Sequence, residues 1–167
     1  MMDAVLELHR LWLLNPSEGR QADLSGVSLN GESFPGSDLR RLIAREANFR
    51  ESRFYDVVLS GSDLRGAQFA YARFHHSDLR EVLAQASNMT GARIDHCNLS
   101  GADLSGAKFF RAELHQAIFR DANLFGCDFR EARLIGGDFR GANLTGALGL
   151  TAEQIRQMIV DVSTKLP

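Results

Sequence analysis

The sequence has little of several things that usually direct a reading. It holds three prolines and two tyrosines in 167 residues, against 11 phenylalanines and 15 glycines. That imbalance points to a rule of placement rather than to average packing. Two cysteines alone do not make a disulfide framework. Neither sign of charge is in excess: 19 Lys and Arg face 21 Asp and Glu, a formal charge of −2. A protein that binds nucleic acid directly carries a clear basic excess, so that class is set aside. No apolar run approaches membrane-spanning length. The apolar start, MMDAVLELHRLWLL, is interrupted by Asp3, Glu7, His9 and Arg10 and lacks the core and cleavage site of a secretory signal. Nucleophile elbow, phosphate loop, HExxH and CxxC are all missing. The expectation is a single non-catalytic cytoplasmic domain with no cofactor, no metal and no membrane contact.

What is present is a period. From residue 22 to 146 the chain reads in fives: ADLSG, VSLNG, ESFPG, SDLRR and onward to GADLSGAKFF and DANLFGCDFR. The central residues run Leu24, Leu29, Phe34, Leu39 and so on to Leu144 without an insertion. Of these 25 centres 23 are large and apolar, the exceptions being Ala44 and Ala84. Two residues before each centre lies a small side chain, mostly Ala or Ser, with Cys97 and Cys127 as variants and Glu32 as the outlier. Two residues after the centre Gly recurs. A period of five fits neither a helix nor a plain strand. It fits a short extended piece closed by a turn, with one large and one small residue pointing inward.

This pattern resembles the pentapeptide-repeat family, A(D/N)LXX, over about three quarters of the chain. The resemblance implies an all-β solenoid: a right-handed quadrilateral β-helix with four pentapeptides per coil, here about six coils. At the strand spacing of ~4.8 Å this is a rod roughly 30 Å long. Such a rod needs a cap at each end. Three segments follow: 1–20, an N-terminal capping helix and turn; 21–150, the β-helix; and 151–167, a C-terminal capping helix. Val5, Leu6, Leu8, Trp12 and Leu13 give the first helix an apolar face, ended by Asn15-Pro16 and Gly19. The stretch LELHRLWL resembles N-terminal caps of bacterial and phage members. At the far end Thr151-Ala-Glu-Gln154 is a capping box, with Ile155, Met158, Ile159 and Val162 on one helical face.

Four repeats per coil turn the sequence into a surface map. The face centred on Phe34, Phe54, Phe74, Ile94, Leu114 and Leu134 has one flank of Ser33, Arg53, Arg73, Arg93, Glu113 and Arg133. Its other flank carries Tyr55, His75, Asp95, His115 and Ile135, and the next turn adds Asp56, His76, His96 and Gln116. Stacked guanidinium forks suit carboxylate or phosphate groups. Arg53, Tyr55, Arg73, His75, His76, Arg93, His96, His115 and Arg133 are therefore the candidate partner-binding residues. The histidines are not read as a metal site, because only the coil sets their spacing. A second candidate is apolar. Leu42-Ile43-Ala44 and Val82-Leu83-Ala84 put Ala at the centre, so either the strand shifts to bury the larger neighbour, the preferred reading, or Ile43 and Leu83 join Phe125 in an exposed patch. In the core, Phe49, Phe69, Phe109 and Phe129 are expected to stack with Met89 between them. Cys97 and Cys127, one and a half coils apart, are expected to be free thiols.

Function is expected to be that of a protein-binding scaffold with an unidentified protein partner, as a monomer or as a dimer through the C-terminal helix. The resemblance offers an alternative: a DNA mimic that binds DNA gyrase or another topoisomerase, as fluoroquinolone-resistance members do. That role implies a strongly acidic rod, whereas residues 21–150 hold 16 acids against 15 Lys and Arg. The unbroken register also leaves no projecting loop of the kind those members carry.

Overall fold

A computed structural model describes residues 2–167. The chain is a right-handed quadrilateral β-helix closed by a short helix at each end. Parallel pairs join the residue before a centre to the one 20 positions later, from Asp23 with Ile43 through to Asp128 with Leu148. Four pentapeptides therefore make one coil. One side pairs as a regular sheet of β1 (Arg53–Tyr55), β2 (Arg73–His75) and β3 (Arg93–Asp95).

The repeat is explained by where its backbone hydrogens go. In the first repeats the centre donates to the next coil (Leu24 N to Ile43 O, 2.7 Å), and so does the corner residue (Gly26 N to Arg45 O, 2.9 Å). The small residue closes the turn on the preceding centre, as Val27 N does on Leu24 O at 3.0 Å. The residue before the centre donates to the preceding coil (Ile43 N to Ala22 O, 3.1 Å), and the N–H just after the centre is taken by the side chain just before it. Asp or Asn accepts this bond in twelve repeats, from Asp23 with Ser25 to Asn143 with Thr145. A short side-chain acceptor two residues ahead of an N–H mimics a backbone turn, which is why the repeat favours Asp and Asn there. Every corner residue is left-handed, with φ between 50° and 71°. Gly meets that need at 12 of 25 corners, and 13 side-chain-bearing residues adopt it regardless.

All 25 centres are buried. Phe49 stacks on Phe69 and Phe109 on Phe129, each pair with ring centres 5.1 Å apart, and buried Met89 lies between the pairs. Phe34, Phe54 and Phe74 stack in the neighbouring column and meet the first set edge-on. The strand does not shift at the two irregular repeats, contrary to the preferred reading. Ile43 and Leu83 keep the outward register, pairing with Asp63 and Asp103, while Leu42 and Val82 go inward and supply the volume that Ala44 and Ala84 lack. Cys97 and Cys127 are free and buried, and burial pushes both thiols up to about 12.

The caps differ from expectation in which side chain the first buries and in how far the second stays helical. In α1 (Met2–Leu14) Leu8 faces solvent, and the fully buried side chain is His9. The first coil has no preceding repeat to accept Ala22 N–H; His9 Nδ1 accepts it at 3.0 Å, and Nε2 lies 3.1 Å from Arg40 O. With Nδ1 accepting, Nε2 is the donor, so the ring is neutral. At the other end α2 spans only Ala152–Gln157, opened by the expected capping box. The chain then turns extended and rejoins the coil, with Ile159 pairing to Asp138 and Lys165 to Asn143. Val162 is fully exposed, so the four-residue helical face does not form. Gln154 reaches back to Ala132 O at 2.8 Å, and Thr164 Oγ1 donates to Phe139 O at 3.1 Å, closing carbonyls that a further coil would have used.

Candidate protein-binding face

On three sides of the rod the flank before the centre includes Asp or Asn, and after Asp38, Asp63, Asp78, Asp128 and Asp138 arginine follows two residues later. The result is a two-pronged ion pair within one repeat. Arg80 reaches Asp78 at 2.7 and 2.8 Å, Arg130 reaches Asp128 at 2.6 and 2.8 Å, and Arg140 reaches Asp138 at 2.7 and 2.9 Å. Asp63 is held by Arg65 and also by Arg45 of the preceding coil, which keeps its carboxyl down at about 2. Charge in these paired repeats is locally cancelled, and the carboxylates of Asp63, Asp78, Asp128 and Asp138 are largely sheltered from solvent.

The side carrying β1, β2 and β3 is built differently. Its flank reads Ser33, Arg53, Arg73, Arg93, Glu113, Arg133, paired in that order up the rod, with neither Asp nor Asn. Between Arg53 and Asp95 this side runs as strands of three residues, whereas its ends at Ser33, Glu113 and Arg133 and the other sides make single bridges. Arg93 is neutralised by Glu113 at 3.1 Å and Asp95 at 3.3 Å. Among the described residues Arg53, Arg73 and Arg133 have no carboxylate partner, and Arg53 and Arg73 are neighbours in the ladder. Tyr55, Arg73, His75, Arg93 and Asp95 line an open groove of about 250 Å³ floored by Phe74.

The structure thus brings Arg53, Tyr55, Arg73, His75, His76, Arg93 and His96 together on one side. His75, His76 and His96 touch one another, with ring centres 4.1 to 5.7 Å apart. His115 is tied by Nδ1 to Asp95 Oδ1 at 3.2 Å, and Arg133 lies beyond Glu113, away from the other arginines. The apolar alternative does not assemble. Asp63 separates Ile43 from Leu83 in the ladder, and Phe125 sits on the opposite flank two coils on. Sequence reasoning missed a different apolar feature: Phe125, Ile135, Leu148, Ile159 and Val162 are all more than 45% exposed and ring the C-terminal end. Their outward register was legible for the first three but not for the tail. No helix among the described residues is long and apolar enough to cross a membrane.

Comparison with known proteins agrees with this architecture. A family model described as a pentapeptide repeat region matches residues 43–109, and one described as pentapeptide repeats in eight copies matches residues 20–56 and 122–147. No curated protein sequence gives a significant match. Among solved structures, HetL, a pentapeptide repeat protein involved in heterocyst differentiation regulation from Nostoc sp. strain PCC 7120, is 24% identical. That match covers 96% of this chain and 78% of HetL, with a TM-score of 0.37. Rfr23 from the cyanobacterium Cyanothece 51142 is 21% identical over 97% of this chain and 99% of its own, TM-score 0.37. Full-length QnrB1, a plasmid-mediated fluoroquinolone resistance protein, is 18% identical over 89% and 93%, TM-score 0.29. With five-residue units in register from end to end and two family models covering most of them, the chain belongs to the pentapeptide-repeat family.

Proposed function

We propose that the chain is a non-catalytic binding scaffold whose β1–β3 side receives an acidic segment of a protein partner, through carboxylates or phosphates. The observation that carries this reading is the missing counter-charge. The repeat favours Asp or Asn before the centre, and in five repeats on the other sides pairs that Asp with arginine. Here the position is arginine in successive coils, and Arg53 and Arg73 face solvent one coil apart with no carboxylate partner among the described residues. Like charges at roughly 5 Å spacing repel, and a partner's anionic groups would relieve that repulsion. Two-pronged guanidinium contacts favour carboxylate and phosphate over other acceptors.

The test titrates glutamate-rich and phosphoserine-bearing peptides into the protein and follows fluorescence anisotropy. Binding should weaken with added salt and vanish in the double variant R53E/R73E. That variant should fold, because Glu113 already occupies the same ladder. Arg93 is a poorer target, being neutralised within the molecule. Unchanged affinity in R53E/R73E would reduce this side to a solvated wall. The gyrase-directed reading finds no support in the balanced charge of the rod. A supercoiling assay with and without a fluoroquinolone addresses it directly.

A further inference from the structure

Five histidines divide into two groups by what holds them. His9 is fixed by two backbone groups and His115 by Asp95. The side chains of His75, His76 and His96 have no hydrogen-bond partner among the described residues, are exposed, and are the three that meet. The coil forces the meeting: His76 and His96 are corner residues one coil apart, at φ 50° and 56°, and His75 precedes the first. Exposed Asp56 occupies the same corner one coil earlier.

We propose that His75, His76 and His96 form a surface site for a borderline divalent transition metal ion such as Zn²⁺ or Ni²⁺, with Asp56 or water completing the shell. The proposal stands apart from the acidic-partner reading. An imidazole nitrogen binds zinc at about 2.0–2.1 Å, which puts each ring centre about 3.2 Å from the ion and two tetrahedral neighbours about 5.2 Å apart. The three observed separations, 4.1, 5.2 and 5.7 Å, bracket that value. The rings of His76 and His96 now lie stacked at 24°, and no three donors surround a single point among the described residues. Metal capture therefore requires the exposed rings to turn about their own side-chain torsions, with the backbone left in place. Imidazole ligands select Zn²⁺, Ni²⁺ and Cu²⁺ over Mg²⁺ and Ca²⁺.

The experiment is calorimetric titration of NiCl₂ or ZnCl₂ into the full chain. One ion per chain should bind, EDTA should reverse it, and MgCl₂ should give no heat. Gln already occupies this corner at Gln116, φ 53°, so H76Q and H96Q keep the backbone they need. Each should weaken binding by more than about tenfold, the least that loss of even an outer-shell partner tends to cost. The triple variant H75Q/H76Q/H96Q should abolish binding, while H115Q should leave it unchanged. No binding to the parent chain, or parent-like affinity in the triple variant, overturns the site.

Discussion

Replacing Phe109 by Ala tests whether the rod's interior is a packed column. Phe109 is fully buried, stacked on Phe129 at 5.1 Å and edge-on to Phe119 at 6.2 Å. Truncation leaves a hole on the order of 100 Å³, worth about 2.4 kcal/mol at about 24 cal/mol per Å³, on top of about 2 kcal/mol for the lost transfer energy. Collapse into the hole is blocked because the coils on both sides are pinned by their ladders, Met89 N to Lys108 O and Phe109 N to Asp128 O, each 2.8 Å. The expected loss is therefore about 3–5 kcal/mol, at the upper end of large-to-small core changes. The adjacent residue supplies the control. Phe110 points outward and is only half-buried, with the Arg111 and Arg130 guanidinium groups 4.8 and 6.0 Å from its ring centre. Its replacement by Ala should cost about 1 kcal/mol or less. Urea unfolding followed by far-ultraviolet circular dichroism measures both. A loss below about 1 kcal/mol for F109A, or equal losses for the two neighbours, would refute the inward–outward alternation on which every surface assignment depends.

Three further outcomes are expected. Corner residue Ala86 sits at φ 55° and Gly126 at φ 67° with open space where a Cβ would lie. A86G should therefore stabilise and G126A destabilise, each by on the order of 1 kcal/mol in the same urea assay, and opposite signs would show the corners are unstrained. His9 is held neutral chiefly by burial, which lowers its pKa against the opposing Arg40 carbonyl and Asp38 charge. The folded state then binds its proton less readily than the unfolded chain, so stability is full above about pH 6.5 and falls as pH drops below it. H9Q should remove that part of the slope in thermal melts, and an unchanged slope would sink the assignment. The buried thiols of Cys97 and Cys127 should resist a disulfide-exchange reagent in the native protein and react in urea; rapid native labelling would show that the rod opens locally.

The five-residue period called for a coiled rod, because a strict repeat with one large and one small inward residue buries both by coiling. The four-sided coil, and with it which residues share a side, followed from the family resemblance those repeats carry, and every ladder from Asp23 to Leu148 keeps the implied spacing of 20. That is why Arg53, Arg73 and Arg93 were recognisable as neighbours before any coordinate. Two matters were decided only by the tertiary structure. One is charge cancellation. Arg93 and Arg73 look alike in the repeat, yet Arg93 alone is answered by both Asp95 and Glu113, because carboxylates on its own strand and on the next coil both reach it. The other is the ends, where translation stops. His9 reads as an interruption of an apolar helix, and becomes its one fully buried side chain because Ala22 N–H has no preceding repeat to bond. The tail after Gln157 reads as more helix, and becomes part of a coil because the unpaired edge at Phe139 and Leu144 offers hydrogen bonds to an extended chain. A repeat fixes everything that repeats; boundaries and pairings between side chains depend on what lies across the next coil.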